Sequence, residues 1–309
     1  MPHSIRLAGP CVNTISPQDN RHAWKRQNEK VSSEPSAPSF SHYIAASNDT
    51  LLCQFDADLR SLPYQHGFSP VKWQDITDVE ILKKPGVYDI EKMRTITLMH
   101  AQFNMNNKKL GRDMMYNGEA HGTIAREQLG CRKGLRSIFA ALNKKLSMDL
   151  LRMRRQAAAL ASTDAKSCHD RMVHNMTSIA MQRQGAPRSA VLSMLRTLQN
   201  ASHRICTAFG YSTQTFGRNR HPPLQGLGQG NGAASAAWVL LSTPLFHMLH
   251  TAGYGLSLLS ALSITLISFV GLAFADDTDV IHCSRHVDTP GEELVAEMQP
   301  VLDLWEGGL

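Results

Sequence analysis

The six cysteines run from Cys11 to Cys283 with no CxxC spacing and no compact framework. This excludes a small disulfide scaffold and the common zinc modules, and it points to a reduced intracellular protein, nuclear or cytoplasmic. The N-terminus lacks the apolar core of a signal peptide. No internal repeat is present. Acidic residues are scarce in one region: Lys83 to Arg155 holds 16 Lys/Arg against 6 Asp/Glu. One segment, Gly255 to Ala275, is 21 apolar-rich residues without a charge.

With 309 residues, 42% hydrophobic and 19% charged, the chain can bury the core of one large domain or two small ones. Its net charge of +6 mildly favours a polyanionic partner. The local basic excess reads either as a solvated basic helix or as a surface that follows a phosphate backbone. The apolar run passes the length test for a membrane span. It is rich in Gly and Ser, however, and a turn followed by a core strand would give the same hydropathy.

Residues 1–65, rich in Ser, Pro, Asn and Gln, read as a disordered or weakly ordered leader. Order is expected from about Phe68. From Ile90 the pattern is mostly helical. Ile138, Leu142, Leu146 and Leu150 form one apolar stripe with basic residues between. A short apolar segment leads into Asp164, a helix follows to Gln184, and another helix starts after Pro187. Residues 203–217 alternate like strands. A Pro/Gly-rich loop then opens a helix. Near the C-terminus Thr289 and Glu292 have capping-box spacing.

Three features carry chemistry. Asp164 ends an apolar segment, with Asp170 six residues on. The loop "LQGLGQGNG" places Gln229 and Gly230 at a helix entrance. The run "LISFVGLAFADD" delivers Asp276 and Asp277 at its end. Singly, these read as an N-cap, a turn and a solvated loop. Adjacent carboxylates after an apolar run need either water or a cation to neutralise them.

In this order and spacing the features resemble the palm of a reverse transcriptase of the non-LTR retroelement type, as in reverse-transcriptase-domain proteins of microbial eukaryotes. "FADD" resembles the family's aromatic-x-Asp-Asp, "DAKSCHD" its first palm motif, and "GLGQG" its G-x-x-Q-G. "MRTITLMHAQFNMNNKKLGR" and "EQLGCRKG" resemble its fingers patterns. The resemblance covers about Lys84 to Leu309. It implies an α+β fold: a right-hand palm, an antiparallel sheet with helices on one face, plus helical fingers. The segments expected are a leader (1–65), a fingers-like region (66–160) and a palm (161–309) that stops before the thumb.

The resemblance further implies an RNA-directed DNA polymerase that transfers a nucleotide from a dNTP to a primer 3′-hydroxyl on an RNA template with DNA primer. Two Mg²⁺ ions would be held by Asp164, Asp276 and Asp277, since Mg²⁺ takes hard oxygen ligands. Arg94 with Lys108 or Lys109 would meet the triphosphate, while Arg112 braces the fingers. His169 stands where the family has an aromatic sugar gate, and Gln229 and Gly230 would lie under the template–nucleotide pair. Arg132 and Lys133 would touch template backbone. The sequence departs from the family at His169, at Ala234–Ser235 in place of Ser-Pro, and in "AAALAS", a poor strand by propensity. It also stops before the lysine motif and thumb, and shows no endonuclease or RNase H pattern. The alternatives are a decayed, non-catalytic fragment that at most binds nucleic acid, and a membrane protein with one span at 255–275.

Overall fold

The computed structural model describes residues 9–259, 264–284 and 286–308. In chain order they form helices α1 (Pro17–Lys25), α2 (Phe40–Ala46) and α3 (Thr50–His66), strands β1 (Asp75–Leu82) and β2 (Met93–Leu98), and helices α4 (Ala101–Ala120) and α5 (Ser137–Met153). Next come strand β3 (Ala158–Asp164), helices α6 (Cys168–Arg171), α7 (His174–Arg183) and α8 (Arg188–Gln199), strands β4 (Ser202–Thr207) and β5 (Gly210–Tyr211), and helix α9 (Ala234–Thr251). Strands β6 (Leu256–Leu259), β7 (Leu266–Phe269), β8 (Gly271–Phe274) and β9 (Asp277–Cys283) precede helix α10 (Gly291–Gly308). Helices and strands are mixed, as an α+β class requires.

The chain divides into two units, Met1–His121 with His169–Ala237, and Gly122–Cys168 with Trp238–Leu309. Each takes two separate stretches of sequence, so the division does not fall at the expected 160/161 boundary.

In the first unit the sheet order is β2-β1-β4-β5, with β1 antiparallel to β2 and parallel to β4. The segment expected as a weak leader is different here: α1, α2 and α3 carry a core of their own. Trp24 and Phe40 are fully buried with Ala101 and Met105 of α4. Trp24 stacks on Tyr43 at 4.8 Å, and the Arg60 guanidinium lies 5.3 Å from its ring. Asp56 accepts from Trp24 Nε1 (2.7 Å), Asn20 Nδ2 (2.9 Å) and Gln102 Nε2 (2.5 Å). Arg60, also buried, donates to Asn106 Oδ1 at 3.0 Å and to Asn20 Oδ1. A few aromatics and a satisfied polar network order this segment, which composition alone does not reveal.

His100 caps α4 by accepting from Gln102 N–H at 3.3 Å and is 5% exposed. Burial pushes its imidazole down to about 4, against the opposing pull of Asp56.

In the second unit the three-stranded sheet has the order β3-β9-β8, all antiparallel, beside the β6–β7 hairpin. Strand alternation gives it two apolar faces. Val270, Ala273 and Val280 meet Leu245, Phe246 and Leu249 of α9 and Met298, Val301 and Trp305 of α10. Leu272 and Ile281 meet Leu151 of α5 and Leu256 of β6. Helices therefore cover both faces, not the single face expected. Strand β3 forms despite its alanines because seven consecutive residues register with β9, from Ala158↔Cys283 to Asp164↔Asp277.

The apolar run 255–275 is strand rather than span: its described residues hold β6, β7 and β8, while 260–263 lie outside the described residues. Among the described residues no helix is long and apolar enough to cross a membrane.

Two local readings change. The α5 stripe points outward, with Ile138 62%, Leu142 49% and Leu146 56% exposed, while Ser147 and Leu151 are buried. The row through Lys144, Met148 and Leu151 is the one that meets the sheet, through Asp279, Leu272 and Ile281. Thr289 does not cap α10: the helix starts at Gly291, and Thr289 Oγ1 donates instead to the His286 carbonyl at 3.0 Å.

Trp24→Ala should destabilise the first unit by about 3–5 kcal/mol, read as a lower urea midpoint. An unchanged midpoint would show the N-terminal helices to be dispensable. His100 sets a pH window. Its folded pKa lies below the unfolded value of 6.5, so the stability is fully present above about pH 6.5 and is lost as pH falls toward 4. Lowering pH from 6.5 to 5 should cost about 2 kcal/mol through this residue, and His100→Gln should flatten that slope in chemical denaturation.

Candidate functional site

The second unit presents the "FADD" segment as a hairpin tip. Phe274 pairs with Asp277, which leaves Ala275 and Asp276 as a two-residue turn. Ala275 has φ +59°, and Asp276 is not in the left-handed region. Positive φ at the first central residue alone is the pattern of a type II′ turn, a position that favours glycine. Alanine there is strained by about 1–2 kcal/mol and needs support from its surroundings.

Asp164, the last residue of β3, is the direct cross-strand partner of Asp277, and Asp276 is next to it in the turn. The structure therefore brings the three sequence-predicted carboxylates to one end of one sheet. Asp164 and Asp277 are exposed and Asp276 is half-buried. Among the described residues none of the three is in an ion pair, and Asp276 Oδ2 accepts a long contact from Cys168 Sγ at 3.9 Å. Asp279, two residues along β9 on the same face, is neutralised: Lys144 Nζ lies 2.8 Å away and Ser162 Oγ donates to it. Among the described residues no three His, Cys, Asp or Glu side chains already converge as a metal cage.

The backbone of the turn is tied down by residues that the sequence did not single out. Gln128 is fully buried. Its Oε1 accepts from Ala275 N–H (3.1 Å) and Gly130 N–H (3.0 Å). Its Nε2 donates to the Ala275 carbonyl (3.0 Å) and to Ser242 Oγ (3.3 Å). Trp238 Nε1 also donates to the Ala275 carbonyl, at 2.8 Å. Gly130 is required because a Cβ there would lie 2.0 Å from the Ala275 nitrogen. The signal for Gln128 was the "EQLGC" stretch, quoted only as a motif. Trp238 gave no signal.

In the first unit the loop carrying Gln229 and Gly230 is stretched over its neighbours by backbone bonds. Leu227 N–H donates to the His169 carbonyl at 2.7 Å, and Thr97 N–H to the Gln229 carbonyl at 2.7 Å. Asn104 of α4 brackets the loop, donating to the Gly230 carbonyl at 3.0 Å and accepting from Gly232 N–H at 2.7 Å. Buried His174 accepts from Gln199 at Nδ1 (3.0 Å), which leaves Nε2–H to donate to the Gly226 carbonyl (2.7 Å). Burial pushes its imidazole down, against the opposing pull of the hydrogen bond to Gly226. Gly226, Gly228 and Gly230 all have positive φ. A Cβ on Gly226 would meet the Asp170 carbonyl oxygen at 2.4 Å, and one on Gly230 the Thr97 oxygen at 2.5 Å.

Beside the loop is a cleft of ≈ 210 Å³ lined by Asp78, Thr97, Asp170, His203, Phe216 and Leu227, among others. Desolvation of the Asp170 carboxyl, which lines the cleft although the residue is largely exposed, raises its pKa. His169 and the Gln229 backbone N–H oppose that shift, while Asp78 adds to it. His203 Nδ1 and Asp78 are 2.8 Å apart.

The cationic candidates are placed less favourably. Arg94 is exposed on β2, but three residues before Thr97, so its side chain alternates to the sheet face opposite the cleft. Lys108 donates to Gln27 Oε1 at 2.6 Å and lies over the Phe40 ring, and burial lowers its pKa. Lys109 is paired with Asp113 and donates to the Val12 carbonyl at 3.2 Å. Arg112 is exposed, 3.7 Å from Asp113. Arg132 donates into its own loop, to the Ala125 (3.3 Å) and Gln128 (3.2 Å) carbonyls, while Lys133 is exposed. His169 is half-buried.

No protein-family model matches the chain, and no curated protein matches it significantly.

Gly226→Ala should displace the loop. Strain at positive φ costs about 1–3 kcal/mol before the clash is counted. The expected reading is a lowered melting temperature, and an unchanged one would mean that the loop does not hold this path.

Proposed function

We propose that the chain is the polymerase domain of an RNA-directed DNA polymerase of the retroelement type, with a palm built on the β3-β9-β8 sheet. One observation carries the reading: a hairpin whose two-residue turn and first following residue present Asp276 and Asp277, paired with a strand that ends at Asp164. Three carboxylates that have no cationic partner among the described residues, at one sheet end, are a donor set of the kind hard divalent ions take. Their number and chemistry fit Mg²⁺. Asp164 and Asp276 would hold both ions, with Asp277 assisting.

When bound, the ions would supply charge neutralisation at the attacking and leaving oxygens. The protein's own part is to hold the carboxylates out of ion pairs with the lysines and arginines of the described residues, so that their charge stays available. Lys144 serves Asp279 and leaves Asp277 open. In the reaction the primer 3′-oxygen bonds to the α-phosphorus of a dNTP as the bond to pyrophosphate breaks and the hydroxyl proton leaves. The loop with Gln229 and Gly230 would offer a glycine-permitted backbone that a base pair can approach. RNA template and DNA primer would be held through phosphate contacts, without sequence reading.

A second reading, a fragment that binds nucleic acid without catalysis, is favoured by Lys108 and Lys109. Both are engaged inside the protein.

Primer extension on an RNA template with Mg²⁺ decides between them. The catalytic reading expects extension, and Asp276→Ala and Asp164→Ala should each lower it by about 10³-fold, since metal charge stabilisation amounts to several kcal/mol at 1.36 kcal/mol per tenfold. Template binding in a gel shift should stay within about threefold, because phosphate contacts carry it. Binding without extension by the wild type would establish the second reading.

A further inference from the structure

We infer that Gln128 is a positioning residue for the Asp276–Asp277 turn, acting through the Ala275 peptide rather than on any ligand. The inference rests on the metal-site reading for its consequence, but its geometry stands alone. A buried primary amide has two donor hydrogens and an acceptor oxygen, and each must find a partner. Gln128 directs its oxygen at the Ala275 N–H and one N–H at the Ala275 carbonyl, and so grips one peptide unit from both sides. Its remaining capacity goes to Gly130 N–H and Ser242 Oγ, which fix the amide itself.

Around it, the chain pairs with β8 as a short parallel extension. Ala273 N–H donates to the Glu127 carbonyl at 2.8 Å, and Leu129 N–H to the Ala273 carbonyl at 2.7 Å. The 127–130 loop is therefore registered on the strand that enters the turn, and Gln128 completes that register one residue past the strand end. Gly130 allows the approach, since any side chain there would overlap Ala275.

The held residue is the strained one. Ala275 carries the left-handed backbone that a two-residue turn of this kind needs, without the glycine that would adopt it freely. The clamp replaces that glycine. Among the described residues no lysine or arginine pairs with Asp276 or Asp277, and Asp276 accepts only a long side-chain contact from Cys168 Sγ, so the backbone carries most of their direction.

The test uses the full chain and three readouts: Mn²⁺ affinity by electron paramagnetic resonance, hydrogen exchange of the 271–277 segment, and steady-state extension. Gln128→Ala should speed exchange in that segment and weaken Mn²⁺ about tenfold, as loss of a supporting contact does. It should lower kcat about 100-fold with the dNTP KM within about threefold, as expected of a misplaced reactive group. Adding Ala275→Gly to Gln128→Ala should restore Mn²⁺ affinity to within about threefold, because glycine needs no clamp. A folded Gln128→Ala protein with unchanged exchange and unchanged Mn²⁺ affinity overturns the inference, as does a lack of rescue by Ala275→Gly. If the wild type binds no Mn²⁺ and extends no primer, the metal-site reading fails. The clamp is then judged by hydrogen exchange alone, where unchanged exchange in Gln128→Ala overturns it. Should Gln128→Ala fail to fold, Gln128→Glu serves in its place. It keeps the shape and loses the donor to the Ala275 carbonyl, and the same outcomes apply.

Discussion

Two adjacent carboxylates repel each other, and at the end of a buried strand water alone relieves only part of that repulsion. Asp276 and Asp277 are nevertheless placed there, with no cation of the second unit's described residues paired to either. What fixes them is the peptide before them. The Ala275 N–H and carbonyl are held by Gln128 and Trp238, so the turn does not depend on its side chains for its shape. The hairpin is further held from below. Val280 and Ala273 are fully buried against α9 and α10, and Leu272 and Ile281 are buried against α5. A sheet packed on both faces cannot slide by one residue without turning its apolar side chains into the wrong core, and that locks the register which sets Asp164 opposite Asp277.

The first unit uses the same device on its own loop. The stretch around Gln229 is held by carbonyls and N–H groups of β2 and α6, and by the side chains of Asn104 and His174. Side-chain bulk would obstruct every one of these approaches, which is why the glycines at 226, 228 and 230 fall where they do. In both units a flexible-looking segment is made rigid through main-chain bonds. Among the described residues Asp164, Asp276 and Asp277 take part in no ion pair, so their charge is not spent on the scaffold.

How much of this was legible in the sequence depended on whether the cause was local. The apolar run ending at Asp276 and Asp277, the glycine loop and the α8 and α9 helices follow from apolar runs, turn residues and helical spacing, and are legible in the sequence. Strand β3 was doubted because its alanines have low strand propensity, yet pairing with β9 across seven residues overrides that preference. The N-terminal helices were missed for a similar reason. Their order comes from Trp24, Asp56 and Arg60 meeting residues of α4, and composition averages such contacts away. The α5 stripe was visible, but its direction was not. Which row of a helix meets the sheet is decided by partners such as Asp279 and Ile281, more than a hundred residues later. Gln128 lay within a quoted motif, but nothing in the sequence indicated that its amide grips Ala275.

The distribution of charge bears most directly on how a polyanion would be met. Most of the basic residues between Lys83 and Arg155 are exposed, but several are engaged by partners within the protein. Lys109 pairs with Asp113, Lys144 with Asp279 and Lys145 with Asp149, Lys108 donates to Gln27, and Arg132 donates to its own loop. Lys133 and Arg136 remain exposed at the start of α5, next to the outward-facing Ile138 and Phe139. Each phosphate neutralised contributes about 0.9 to the salt slope of duplex binding, so the slope follows the exposed cations and not the formal count. Along α5 and its flanks Lys133, Arg136, Lys145, Arg152, Arg154 and Arg155 are exposed, beside an apolar stripe that no phosphate can satisfy. The same helix packs its inner row on the sheet through Leu151, so the carboxylate tip rests on α5 for its register and on Gln128 for the path of its turn.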